Sequence, residues 1–313
     1  MFVSPWHLKK CGMLGLNKRN ACFIMPYNPR HLFPLVDNKL ETKRLALQHN
    51  IAVPNLLGVV EIQHQIGQLQ AFLEEQNDFV IKPAHGSGGN GVLVIAERQG
   101  SNFRKADGHL LKFEAIAHHV SNILTGMYSL GGRADHAMIE YRVKFDPIFS
   151  AISYQGVPDI RVIIFRGLPV AGMLRLPTRE SDGKANLHQG AMGIGIDVMT
   201  GRSCGGVYRN TLCSVHPDTG ESTENIEIPH WPTILKLAMQ CVDTVGLGYS
   251  GVDIVLDRDL GPLMLELNAR PGLNVQLANG VGLLIKLNKV KALEHIPSDI
   301  DERMALLASL YAS

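Results

Sequence analysis

Apolar and polar positions divide the chain into two stretches of different character. In the first, "DNKLETKRLALQHN" predicts a helix opened by Asn38 and Glu41, spaced as a capping box, and left at Pro54. "HQIGQLQAFLEEQ" places Ile66, Leu69, Phe72 and Leu73 on one helical face, and Ile116, Val120, Ile123, Leu124 and Met127 stripe another helix. The short runs "DFVIKP", "GVLVIAE" and "AMIEY" predict strands, with Asp107-Gly108 as a hairpin turn. The second stretch is strand-rich. "DIRVIIFRG", "PVAGMLRLP", "AMGIGIDV" and "GGVY" are separated by turn residues, then comes a helix in "WPTILKLAMQCVDTVG" and a strand pair, "GYSGVDIVLD" and "GPLMLELNA". Hairpin-linked strands with helices laid over them predict an α+β fold with largely antiparallel sheets, not a doubly wound parallel one. Residues 1–35, broken by Pro26, Pro29 and Pro34, predict an irregular arm lying on the body.

Composition narrows the function classes. A chain of 313 residues with 45% hydrophobic and 19% charged positions suggests a globular protein of two domains or subdomains. The formal net charge of +1 supplies no global field for nucleic acid or an anionic membrane, and the one compact basic cluster, "NKRN" at 17–20, lacks interleaved aromatics. Five scattered cysteines without a CxxC pair argue against a disulfide framework or a zinc site. With no apolar run of the ~18 residues that a membrane span needs and no secretory leader, the chain reads as cytoplasmic, with no nucleic-acid or membrane partner. A homo-oligomer is compatible with the sequence.

The strongest chemical signal is "LMLELNARPG", residues 263–272. Glu266 and Asn268 lie two apart on an otherwise apolar strand and so share a face. If "DIVLDRDLGPLMLELN" is a hairpin with a four-residue loop at Arg258–Gly261, Val255 faces Met264, Asp253 faces Glu266 and Gly251 faces Asn268. Opposed Cβ atoms lie about 4.5–5.5 Å apart. Two carboxylates at that distance repel by about 3 kcal/mol at an effective dielectric of ~20. Hard oxygen donors without His or Cys suit magnesium. The structural alternative is that Asp253 or Glu266 pairs with Arg258 or Arg270, or that the register slips.

A second signal is "VIKPAHGSGGNGVLVI". Gly86, Gly88, Gly89 and Gly91 allow backbone N–H groups to approach an anion closely. The loop is followed by a strand, which disfavours a Rossmann unit, and it lacks the GK[ST] ending of a Walker loop. A strand–glycine loop–strand is a flap over phosphates, yet no HRD or DFG sequence of a protein kinase follows. Lys82 ends the strand before the loop, where an ammonium could meet the α- or β-phosphate. Lys39, in the first turn of its helix, is either a second phosphate ligand or a solvated helix lysine. His118 and His119 diverge on their helix and read as non-ligands.

Taken in order, "NKLETK", "VIKPAHGSGGNG", "MIEY", "DIRVII", "GKANLHQGA", "GVDIVLD" and "LELNARPG" resemble the motifs of the ATP-grasp superfamily, most closely the RimK-type α-L-glutamate ligases, from about Val36 to Val275. The resemblance implies an arm at 1–35, a lid subdomain at 36–138 and a larger subdomain with the metal site at 139–313, with ATP between the two subdomains. Lys39 and Lys82 would contact phosphates beneath a loop that includes His85, Gly86, Ser87, Gly88 and Gly89. Glu140 and Tyr141 would lie beside adenine, and Asp159 and Asn186 on the nucleotide side. Asp253, Glu266 and Asn268 match the family's Mg2+ ligands, with Mn2+ as a substitute. The implied chemistry is phosphorylation of a small-molecule or peptide carboxylate, then attack on the acyl phosphate by an amino-acid amine. Arg161 and Arg270 would stabilise the charge developing on oxygen, and Arg175, Arg179 and His188 would position a substrate carboxylate, against a structural alternative in which Arg175 and Arg179 lie at a solvent-facing strand end. Two departures stand out. Glutamate ligases carry a whole domain before the ATP-grasp unit, where fewer than forty residues precede Lys39 here, so a partner chain could supply part of the acceptor surface. Arg270 also follows Asn268 where the ribosomal-protein ligases usually have small residues. The competing readings are a phosphotransferase on the same scaffold and a nucleotide-binding partner protein without turnover.

Overall fold

β-branched runs bounded by glycine and proline pair into two antiparallel sheets in a computed structural model that describes residues 4–86, 88–129 and 131–311. The chain forms two units, the smaller comprising Asn38–Leu40 and Pro54–Val143. Among its described residues are six strands, β1 (Leu56–Val60), β2 (Phe79–Pro83), β3 (Leu93–Gln99), β4 (Asn102–Lys105), β5 (Leu110–Leu111) and β6 (Ala137–Glu140), ordered β1-β6-β2-β3-β4-β5. The predicted helices form at Ile66–Glu74 and Phe113–Leu124. They bury Leu69, Leu73, Ile116, Val120 and Ile123 against Phe79, Ile81, Ile95 and Phe103. Met127 falls outside its predicted stripe and is exposed. The helix ends at Leu124, and Gly126 (φ 82°) turns the chain where a Cβ would lie 2.2 Å from the Arg133 carbonyl oxygen.

The larger unit contains the described residues of Met1–Asp37, Glu41–Val53 and Lys144–Ser313. Its described strands are β7 (Asp159–Phe165), β8 (Leu168–Leu176), β9 (Met192–Ile196), β10 (Ser203–Tyr208), β11 (Thr211–Leu212), β12 (Tyr249–Asp257) and β13 (Gly261–Asn268), ordered β11-β10-β9-β8-β7-β12-β13. Even-numbered residues of β7 and β12, such as Val162, Ile164, Val252 and Ile254, share a core with the Trp231–Val245 helix. On the opposite face Ile163, Phe165 and Tyr249 pack with Phe23, Ile24 and the Leu283–Lys291 helix. Along β7 that second face changes from apolar (Phe165, Ile163) to charged (Arg161, Asp159), which creates a polar patch at the margin of a buried layer.

Two boundaries differ from expectation. β6 lies between β1 and β2, so the division falls at Val143/Lys144, not after residue 138. The arm is not irregular: it forms turns at Pro5–Lys10, Leu16–Arg19, Asn20–Ile24 and Met25–Tyr27, and buries Leu14, Phe23 and Ile24. Pro5 and Pro26 sit in the first turns of their helices, where a missing N–H costs nothing, so proline there opens a helix instead of breaking one.

Candidate functional site

The hairpin of β12 and β13 places Asp253 opposite Glu266 and Gly251 opposite Asn268, the two rungs the sequence predicts. From Ile254 onward the predicted register is wrong. The loop has three residues, Arg258–Leu260, because Gly261 (φ 77°) pairs with Asp257, whose carboxylate accepts from the Asp259 and Leu260 N–H groups at 2.9 Å. Val255 therefore faces Leu263, not Met264. A bulge at Leu265 then restores the alignment, so the shorter loop and the bulge cancel at the rungs of Asp253 and Gly251. Gly251 is required by close approach, since a Cβ there would lie 2.8 Å from the Pro271 side chain.

Asp253 is paired across the sheet and not along the hairpin. β7 lies beside β12 with Arg161 opposite Asp253, and beside β8 with Asp159 opposite Arg175. Arg161 Nε donates to Asp253 Oδ1 at 2.7 Å and its Nη2 to Oδ2 at 2.5 Å. Arg175 donates from Nε and Nη2 to the two oxygens of Asp159, and its Nη2 also lies 2.8 Å from Asp253 Oδ2. Asn268 Nδ2 adds a longer contact to Asp253 Oδ2, 3.3 Å. At Asp253 the anticipated repulsion is thus offset by Arg161 and Arg175, and its charged partners are these and not Arg258 or Arg270. Arg175 is buried between two aspartates, so the solvent-facing strand end is also corrected.

Burial disfavours both aspartate charges, and the arginines decide where the negative charge is held. Arg161 and Arg175 outweigh burial at Asp253 and hold its carboxyl down at about 2. At Asp159 burial outweighs Arg175, and the charge on Asp253 adds to it, which raises the carboxyl to about 6. Asp253 is therefore an ionised, hard oxygen donor, as a magnesium ligand must be. Arg161, Arg175 and Asn268 together occupy the roughly four acceptor sites of its carboxylate. A cation must displace one of them. The Asn268 amide makes the longest contact, and turning it end for end would present its oxygen instead. Among the described residues no group of three or more His, Cys, Asp or Glu could hold a metal. The set fits a magnesium ion that takes one or two carboxylates and leaves its other positions to water and phosphate.

The remaining predicted residues of this unit spread outward. Arg270 is exposed, 3.5 Å from Asp37 and over the Phe33 ring. Arg179 stacks over Tyr154 at 5.3 Å, and its N–H donates to Asp218. Asn186 Oδ1 accepts from the His188 N–H at 3.0 Å and caps a short turn, leaving His188 exposed.

In the smaller unit Lys39 reaches the glycine loop, while Lys82 pairs with Glu140 on β6. Lys39 Nζ donates to the Gly86 carbonyl and its N–H to Ala84 O at 2.9 Å, while Asn38 Oδ1 caps the helix through the Leu40 N–H. Lys82 Nζ lies 2.6 Å from Glu140 Oε2, both largely buried, and the Tyr141 N–H donates to Asn55 O. Ser87 lies outside the described residues. Gly88, Gly89 and Gly91 all take φ between 63° and 77°. At Gly91 a Cβ would lie 2.6 Å from the Tyr128 ring, so Gly91→Ala is expected to lower stability by about 1–2 kcal/mol. A thermal melt checks this. His119, half-buried, anchors the same loop, with Nε2 3.0 Å from Gly91 O.

Sequence reasoning missed Asp135. This buried carboxylate accepts from the His85 N–H at 3.0 Å, from Ser129 Oγ at 2.5 Å and from the His136 N–H at 2.7 Å, and it lies 2.8 Å from His85 Nδ1. It ties the root of the glycine loop to the segment before β6, a long-range partnership with no motif of its own. Burial pushes its carboxyl up, but these hydrogen bonds outweigh burial and bring it below the ordinary value. Its stabilising contribution is therefore fully present above the unfolded carboxylate value of about 3.9 and is lost as pH falls through the lower folded value. Asp135→Asn should cost roughly 1–3 kcal/mol at neutral pH. Thermal melts down to about pH 3 should show the variant losing less on acidification than the native chain.

Comparison with known proteins gives this geometry a context. The sequence profile described as "Sugar-transfer associated ATP-grasp" matches residues 18–292. Two curated relatives from Histophilus somni (strains 129Pt and 2336), each named probable alpha-L-glutamate ligase, are 25% identical over 281 residues, 86% of this chain and 71% of theirs. Biotin carboxylase from Campylobacter jejuni, solved as a β,γ-ATP complex, superposes with a TM-score of 0.55 at 14% identity, covering 93% of this chain and 52% of its own. The ATP-grasp ligase PsnB with its minimal precursor gives 0.45 at 15% identity over 91% of this chain, which spans 63% of that ligase. The α+β fold, with its two antiparallel sheets, is the ATP-grasp fold, and the chain belongs to the sugar-transfer associated ATP-grasp family.

Proposed function

We propose that the protein is an ATP- and Mg2+-dependent ligase that joins a carboxylate to an amine through an acyl phosphate. The observation that carries this reading is the row Glu266–Asp253–Arg161 with Arg175 beside it, an ionised carboxylate held next to two guanidinium groups. In the reaction a substrate carboxylate oxygen attacks the γ-phosphorus of ATP and ADP leaves. The amine then attacks the acyl carbon, phosphate departs with the C–O bond, and the amine proton passes to solvent or phosphate. No side-chain nucleophile is required.

Asp253, Glu266 and Asn268 would hold magnesium, or manganese in its place. Bound there, the cation would neutralise charge on phosphate oxygens. Arg161, with Arg270, would donate to the oxygens on which charge accumulates. Lys39 and Lys82 would bind phosphates, with the backbone N–H groups of the loop that runs through His85, Gly86, Ser87, Gly88 and Gly89. Glu140 and Tyr141 are assigned to adenine, Asp159 and Asn186 to the nucleotide side, and Arg175, Arg179 and His188 to the substrate carboxylate. For Arg175 that role requires sharing its guanidinium with Asp159 and Asp253. The names of the relatives make glutamate the first amine to test, and the family description brings sugar-linked carboxylates into the panel.

The test is ADP release by the full chain with Mg-ATP and a panel of carboxylates and amines, with hydroxylamine replacing the amine in parallel. Carboxylate-dependent ADP and a hydroxamate support the proposal. A phosphorylated product with no amide or hydroxamate would assign the protein to phosphotransfer instead.

A further inference from the structure

The near-zero net charge conceals a strong asymmetry within the larger unit. Residues 1–36 and 267–293 together hold nine of the 30 Lys and Arg and none of the 29 Asp and Glu. The rest of the chain therefore carries 21 basic against 29 acidic residues. The fold joins the two acid-free segments. The Gly282 N–H donates to Cys11 O and the Leu284 N–H to Gly12 O, while Gly12 approaches Ile285 so closely that a Cβ would lie 2.7 Å from its side chain.

On the two segments that this seam joins, large apolar side chains face solvent. Trp6 is 80% exposed, Leu8 40%, Val281 49% and Ile285 46%. Lys9 Nζ lies 5.8 Å from the Trp6 ring, and Lys9, Lys10, Lys18 and Lys291 are all exposed. Isolated exposed apolar residues are ordinary, but an indole and aliphatic side chains among lysines, on two segments that hold no Asp or Glu, are not; from outside those segments Asp197 acts on Lys286. A protein partner would need acidic residues around an apolar centre. Nucleic acid would satisfy the lysines but leave Val281, Ile285 and Leu8 without a counterpart. An anionic bilayer surface satisfies both: phosphates meet the ammonium groups, and the interfacial zone accepts Trp and aliphatic side chains.

We propose that this face, formed by the helix Pro5–Lys10 and the segment from Val281 into the Leu283–Lys291 helix, docks the protein on an anionic lipid surface. No described helix is long and apolar enough to cross a membrane, so attachment would be peripheral and reversible. Each cation near such a surface adds to the attraction, so a few lysines with one inserted indole give measurable binding.

The test is flotation of the full chain with vesicles of phosphatidylcholine alone or with about 30% phosphatidylglycerol, a headgroup mixture that sets the surface potential. Binding is expected on anionic vesicles only, reduced at least about tenfold by Lys9→Glu/Lys10→Glu or by about 0.5 M salt. Trp6→Ala should weaken it separately. Trp231 is buried and Trp6 exposed, so a blue shift of tryptophan emission on anionic vesicles, absent in Trp6→Ala, would locate the contact. These variants lie outside the proposed catalytic residues, and unchanged melting temperatures show that they fold. Absence of flotation, binding indifferent to the lysine substitutions, a dimer in solution dispersed by Trp6→Ala without lipid binding, or preference for an oligonucleotide over vesicles would each overturn the proposal.

Discussion

Asp253→Asn should destabilise the larger unit by about 3–5 kcal/mol, the cost of removing one member of a buried charge set. Two aspartates and two arginines balance in this cluster, with Arg175 shared between Asp159 and Asp253. Neutralising Asp253 leaves two partly buried guanidinium groups facing one carboxylate whose own ionisation burial already opposes. The measurement is denaturant unfolding with and without a second substitution, Arg161→Met. The double variant restores one arginine to one aspartate, so it should recover part of the loss. Activity should be absent in both, because neither retains the carboxylate.

Glu266→Gln should separate function from stability. Glu266 lies on the edge strand of the sheet, half-buried, on a rung that the bulge at Leu265 aligns with Asp253. Neutralising it relieves like-charge repulsion across the rung, so the melting temperature should fall by less than it does in Asp253→Asn. Magnesium-dependent ADP formation should nevertheless fall by roughly 10²–10³, about 3–4 kcal/mol of transition-state stabilisation. The contrast is diagnostic: a structural role for both carboxylates would make both substitutions destabilising, whereas a metal-binding role makes one destabilising and both inactive.

How much of this was legible in the sequence depended on range. The rung Asp253–Glu266 could be read because a hairpin links neighbours through a short loop, and even its register errors were local ones that cancelled. The glycine loop and its lysines could be read because motif and secondary structure coincide. Arg161 and Arg175 could be nominated but not partnered, since the order β8-β7-β12 brings residues near 160 and 175 beside residue 253, and no periodicity encodes which strand lies in the middle. Asp135 was invisible for the same reason. Its role is to satisfy backbone groups fifty residues away, a demand that appears only when His85 and Ser129 are brought together. The arm was misread because a proline was taken as a break where it opens a turn.

The most direct test of the account is binding of Mn2+ by electron paramagnetic resonance in the presence of a non-hydrolysable ATP analogue, comparing the native chain with Glu266→Gln. The account predicts nucleotide-dependent Mn2+ binding to the native protein and loss of most of that binding in the variant, which a thermal melt shows to be folded under the same conditions. Equal Mn2+ binding by the two proteins would contradict it, because the cation would then be held somewhere other than the rung where Asp253 meets Glu266.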